Sequence, residues 1–156
     1  MIEISIPGGA AFRFQHLVLD VNGTIAKDGN LIDGVAELLK ELRARLDIHM
    51  ITADTHGRQE VINKQLNLTA ICIPTQNQIE AKLRFIEGLG ADAVVAIGNG
   101  ANDSAMLERA ALGIAIVGPE GAAAKTLLKS DVVVQNIHSA LELLLYPKRL
   151  MATLRQ

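Results

Sequence analysis

The chain has 156 residues, 49% hydrophobic and 21% charged, which is enough apolar material for one packed domain and excludes disorder as the main state. A net charge of −2 argues against a nucleic-acid or membrane-surface partner, and no apolar run reaches the ~18 residues of a membrane span. The opening residues lack the basic-then-apolar order of a secretion signal, and one cysteine cannot close an internal disulfide, so a cytoplasmic address is expected.

Taken in chain order, IEISI alternates and predicts an edge strand or a hairpin with FRF over residues 1–15. LVLD at 17–20 reads as a strand, followed by a hairpin over 25–32 whose Asp28-Gly29 pair suits a two-residue turn. Val35, Leu38, Leu39, Leu42 and Leu46 fall at i, i+3, i+4, i+7 spacing and predict an amphipathic helix over 33–46. A strand at 48–52, a helix over 57–66 and a strand at 70–73 come next, with Cys72 expected as buried packing in the last. A helix over 76–87 ends at Gly88 and Gly90, and a strand at 93–97 enters the loop GNGAND. Helices over 102–110, over 120–129 and from 137 onward alternate with strands at 113–117 and 131–134. Such alternation predicts right-handed crossovers and a parallel sheet covered on both faces, with a core over 16–145 and a tail over 146–156 whose last six residues, MATLRQ, are frayed.

In open α/β sheets, ligands gather at the carboxyl ends of strands where the strand order reverses. Three such ends carry polar residues: Asp20 to Thr24 after the first core strand, Thr52 to Asp54 after the second, and Asn99 to Asp103 in the GNGAND loop. A carboxylate, a hydroxyl and an acid–amide loop suit one phosphate and one hard cation such as Mg²⁺. The same residues also suit ordinary roles. Asn22-Gly23 is a good turn dipeptide, Thr52 a strand-end cap, and Asn102 and Asp103 a helix start. The four histidines do not fall at metal-ligand spacing, and only His56 lies near one of these loops.

LVLDVNGTIA, ITADT, Lys82 and IGNGANDSAML resemble, in order, the four motifs of the haloacid dehalogenase-like superfamily, and most of all the soluble relatives of the P-type ATPase phosphorylation domain. The likeness runs roughly over residues 16–134. It implies a three-layer α/β/α doubly wound sheet and a Mg²⁺-dependent phosphatase working through an aspartyl phosphate. By that resemblance Asp20 is nucleophile and metal ligand, and the backbone carbonyl of Asn22 is a second ligand. Thr52 and the N–H of Ala53 hold phosphoryl oxygens, and Gly23 lets the backbone approach them. Lys82 neutralises developing charge, with Lys64 and Arg84 as rival cations, while Asn99 and Asp103 complete the metal site.

Two positions depart from the family pattern. Asn22 stands where most phosphatases of the superfamily carry a general acid–base Asp, and an amide cannot move that proton. Asn99 stands where a metal-binding Asp is usual, which removes one negative charge. Slow hydrolysis is expected, and the alternative is a catalytically weak or inactive regulatory or binding module on the same fold. Neither the segment over 25–32 nor that after Pro74 is long enough to fold as a cap domain. The expected partner is therefore a phosphorylated small molecule or phosphoprotein at an open site, and a homo-oligomer is left open.

Overall fold

The computed structural model describes residues 1–53 and 57–155. Strands β1 (Ile2–Ser5) and β2 (Ala11–Phe14) pair antiparallel as a separate hairpin, and β3 (His16–Asp20) opens the main sheet. A small flap, β4 (Ala26–Lys27) and β5 (Asn30–Leu31), turns through Asp28 and Gly29, both at positive φ as the Asp-Gly pair predicts. Then come α1 (Val35–Leu42), β6 (Asp47–Thr52), α2 (Gln59–Leu66), β7 (Ile71–Cys72), α3 (Gln78–Leu89) and β8 (Val94–Gly98). The chain closes with α4 (Ser104–Arg109), β9 (Leu112–Ile116), α5 (Ala124–Lys129), β10 (Val132–Val134), α6 (Ile137–Leu145) and α7 (Pro147–Leu154).

Six parallel strands run in the order β10-β9-β8-β3-β6-β7. The inner strands of the sheet are buried on both faces, so β3 and β8 each serve two cores at once. Leu17 and Leu19 of β3, with Val95 and Ile97 of β8, join the core under α1, α2 and α6. Val18 of β3, with Val94 and Ala96 of β8, joins a smaller core with Ile86 of α3 and Met106 and Leu107 of α4. This is the near-continuous apolar strand of a covered parallel sheet rather than a half-wet alternation.

The order reverses at β3, which has β6 on one side and β8 on the other. Asp20 pairs in register with Ile51 and Leu19 with Ile97, so Thr52 and Asn99 leave their strands within two residues of the level of Asp20. Strand order and register alone thus bring the three polar strand ends to one crevice.

Two expectations are corrected. The tail is helical through Leu154: Pro147 occupies the first turn of α7, and Leu150, only 1% exposed, packs into the larger core with Met151 and Leu154 against it. Proline fits a helix start because it lacks only a donor that would go unused there. Cys72 is exposed, because the predicted strand shortens to two residues at the sheet edge and Cys72 lies on its outer side.

At the opposite end of the sheet, His49 Nε2 lies 3.3 Å from His16 Nδ1, and Asp47 lies 3.8 Å from His16. Burial, and then the charge of His16, lowers the pKa of His49 below 6.5, with Asp47 opposing. A base with a lowered folded pKa stabilises the fold fully above its unfolded pKa, and that stability is lost as pH falls through the folded value. His49→Gln should therefore gain on wild type in thermal melts as pH drops from 7.5 to 5. A gap that stays constant over that range would contradict this account.

Candidate active site

The loop after β3 is wound tightly by the backbone. The carbonyl of Val21 accepts from Thr24, Ile25 and Ala26 at 3.2, 3.0 and 3.0 Å, and Gly23, at φ +80°, donates to Ala26 at 2.8 Å. This curl returns the side chain of Thr24 beneath Asp20. Its Oγ1 lies 3.1 Å from Asp20 Oδ2 and 3.2 Å from Asn99 Oδ1, two acceptors for one hydroxyl proton.

The loop after β8 is organised by Asp103. Its Oδ2 accepts the backbone N–H groups of Asn99 at 3.0 Å and Gly100 at 2.9 Å. Gly98 makes room for this, since a Cβ there would lie 2.5 Å from Asp103 Cγ. The other oxygen of Asp103, Oδ1, accepts from Lys82 Nζ at 2.6 Å, and the same ammonium donates to Asp20 Oδ1 at 2.6 Å. Lys82 is fully buried and shares the inner face of α3 with Ile86.

Three charges therefore sit together out of water, two negative and one positive. Burial, followed by the Asp103 carboxylate, pushes the Asp20 carboxyl up to about 7, while Lys82 and Thr24 pull it back. Burial alone would lower Lys82, but Asp20 and Asp103 outweigh it and raise the ammonium above its ordinary value. Lys82 is thus held charged beside Asp20.

A cavity of about 130 Å³ opens over Asp20. Asn22, Thr52, Ala53 and Asn99 line it beside Asp20, so five of the eight residues singled out in the sequence share its wall. Lys82 and Asp103 lie behind Asp20, on the protein side of its carboxylate. Gly23 is not on the wall, because the space beside its Cα is taken by Asn99 and Glu120. Lys64 and Arg84 are surface residues paired with Glu60 and Glu80. Asp54 and His56 lie outside the described residues.

Four further residues complete the wall. Gln78 begins α3, and its Oε1 accepts from Asn102 Nδ2 at 2.6 Å. Gly100 belongs to the loop after β8, and Glu120 comes from the turn after β9. The carboxyl-end rule, applied to β9 as it was to β3, β6 and β8, points to Glu120.

The donors on the wall suit a hard cation. Asp20 offers a carboxylate, and Asn22 and Asn99 offer carbonyl oxygens. Among the described residues no group of three or more His, Cys, Asp or Glu is arranged to hold a metal. Oxygen donors with few protein charges fit Mg²⁺, which keeps several waters and binds with its phosphate partner.

A family model of the haloacid dehalogenase-like hydrolases matches residues 7–111. A protein of Methanocaldococcus jannaschii, the uncharacterised MJ0073, is 49% identical over 79 residues, covering 48% of this chain and 85% of that one. The zinc-transporting ATPase of Bacillus subtilis is 32% identical over 135 residues, which are 81% of this chain but 21% of the transporter. Among solved structures, a subfamily III A hydrolase of this superfamily from Legionella pneumophila superposes with a TM-score of 0.69 at 20% identity, covering 90% of this chain and 87% of that one. The 3-deoxy-D-manno-octulosonate 8-phosphate phosphatase of Moraxella catarrhalis, solved with magnesium, phosphate and the sugar acid, gives 0.66 at 20% identity, covering 91% and 94%. At such identities these two structures establish the shared fold.

The raised pKa of Asp20 has a consequence for stability. A folded pKa above the unfolded 3.8 stabilises the fold fully below that value, and this stability is lost as pH rises through about 7. Without added divalent metal, Asp20→Asn should melt above wild type at pH 8, by roughly 4 °C or more for a domain of this size. The gap should close towards pH 5. Parallel melting curves across that range would show that Asp20 is not held at this penalty.

Proposed function

The chain belongs to the haloacid dehalogenase-like hydrolases, and from that membership we propose that it is a phosphohydrolase that passes the phosphoryl group of its substrate to Asp20 and then to water. The observation that carries this reading is the placement of Asp20 at the strand-order reversal, open to a cavity on one side and joined to a buried ammonium on the other.

In the first step an Asp20 carboxylate oxygen forms the new bond to phosphorus while the bond to the leaving oxygen breaks. Thr52 and the N–H of Ala53, on the cavity wall, would hold phosphoryl oxygens. Lys82, fixed by Asp103, offsets the charge that gathers on Asp20 and the phosphoryl group without moving. A divalent cation held by the Asp20 carboxylate, the Asn22 carbonyl and Asn99 Oδ1 would screen nucleophile from phosphate when bound. In the second step water attacks phosphorus and frees Asp20.

Each step wants a proton moved at the oxygen that enters or leaves. Asn22 lines the cavity and, by the motif resemblance, stands in sequence where the family's acid–base group is found, and its amide cannot exchange that proton. Turnover should therefore be slow, and it should favour leaving groups that depart without protonation. The site suits a phosphorylated small molecule or a phosphoprotein, with Mg²⁺ as the cation.

Asn22 and Asn99 together favour one other reading, a module that binds phosphate or metal and turns over little. Hydrolysis of p-nitrophenyl phosphate separates the two. The enzyme reading expects Mg²⁺-dependent release of p-nitrophenol that Asp20→Asn abolishes, and the other reading expects beryllium fluoride to bind at Asp20 without turnover. Asn22→Asp should raise turnover at least tenfold, within the roughly 10²–10⁴ that acid–base help provides. No gain would show that the missing proton carrier is not what limits the site.

A further inference from the structure

Glu120 lies on the cavity wall with Asp20, although it is distant in sequence from all four motifs. The turn that carries it is clamped on both sides. Before it, Val117 and Gly118 donate to the carbonyls of Val134 and Gln135 at 3.0 and 2.9 Å. After it, the Gly121 carbonyl accepts from Asn99 Nδ2 at 3.0 Å, and Ala123 N–H donates to the Asn99 carbonyl at 2.9 Å. Thr126 Oγ1 adds a bond to the Gly100 carbonyl at 2.6 Å. The turn also sits on the loop after β3, since a Cβ at Gly118 would be 3.0 Å from the Gly23 carbonyl.

Gly23 shows where the carboxylate ends up. A Cβ on Gly23 would lie 2.7 Å from Glu120 Oε2 and 2.6 Å from Asn99 Nδ2, so the two side chains flank the same small space beside the loop of Asp20. No described lysine or arginine forms an ion pair with Glu120, because the buried ammonium of Lys82 is engaged by Asp20 and Asp103. A carboxylate on the wall that Asp20 also lines repels an incoming phosphate unless a cation lies between them. Asn99, meanwhile, is uncharged, with its Nδ2 committed to Gly121 and its Oδ1 within reach of Thr24.

We infer that Glu120 supplies, to the divalent cation held at Asp20, the negative charge that Asn99 lacks. The inference rests on the phosphohydrolase reading, which places the cation at Asp20. Glu120 acts directly on the ion or through one of its waters, and the clamp on Asn99 keeps the turn that carries it in place before the ion arrives.

Binding of Mn²⁺, followed by electron paramagnetic resonance with Mg²⁺ as competitor, tests this on the full chain without substrate. Asp20→Asn should abolish binding, and Glu120→Gln should weaken it about tenfold or more. In an Asn99→Asp background, where the charge is restored within the motif loop, Glu120→Gln should cost less than threefold. Glu120 is exposed, so the variant should melt with wild type when metal is absent. Glu120→Gln affinity within twofold of wild type, with Asp20→Asn still abolishing binding, would overturn the role of Glu120 and leave the phosphohydrolase reading standing. Mn²⁺ binding that Asp20→Asn does not affect would overturn both.

Discussion

One ammonium between two carboxylates organises this molecule. Lys82 reaches Asp20 and Asp103 at 2.6 Å each, with all three side chains largely out of water. The ammonium is tolerable there because it keeps a carboxylate partner, and a buried charge stripped of every partner typically costs about 3–5 kcal/mol. The geometry is also directional. Asp103 spends its second oxygen on two backbone N–H groups and is fixed, whereas among the described residues the second oxygen of Asp20 meets only the shared hydroxyl of Thr24. The fixed end holds the lysine, and the lysine presents its charge to the end that faces the cavity. Preorganised charge of this kind needs no rearrangement when negative charge builds up on a reacting group.

The fold makes that arrangement cheap to assemble. Strand order reverses at β3, so neighbouring strands leave their loops around Asp20 without any insertion to bring them there. Gly98 lets Asp103 fold back onto its own loop, and Gly23 leaves space where Asn99 and Glu120 meet. The two asparagines then set the chemistry. Set against the family pattern, Asn22 stands in place of a proton carrier and Asn99 in place of a charge, and both line the cavity. On the proposed reading, the result is a phosphoryl-transfer site with weaker acid–base help and a weaker hold on its metal.

Much of this was legible in the sequence because the relevant signals are local. β-branched runs mark the buried strands, Asp28-Gly29 marks the flap, and the polar residues just after β3, β6 and β8 mark the crevice. Lys82 was harder to place, since a lysine on an amphipathic helix is usually solvated. Its burial depends on two carboxylates 62 and 21 residues away. Glu120 is a similar case: the carboxyl-end rule reaches GPEG, but only the docking of that turn on Asn99 and Gly23 brings its carboxylate to the cavity wall. The terminal helix was missed because Pro147 ends one helix and begins the next, and Cys72 because edge position, not composition, decides which way a two-residue strand faces.

A crystal structure of the protein with Mg²⁺ and beryllium fluoride would test the role of the buried ammonium most directly. The account predicts beryllium bonded to an Asp20 carboxylate oxygen in the cavity, a metal ion beside it, and Lys82 still on Asp103 with its ammonium within hydrogen-bond reach of Asp20 or a fluoride. Fluoride bound elsewhere, or Lys82 drawn away from both carboxylates while the complex forms, would contradict it.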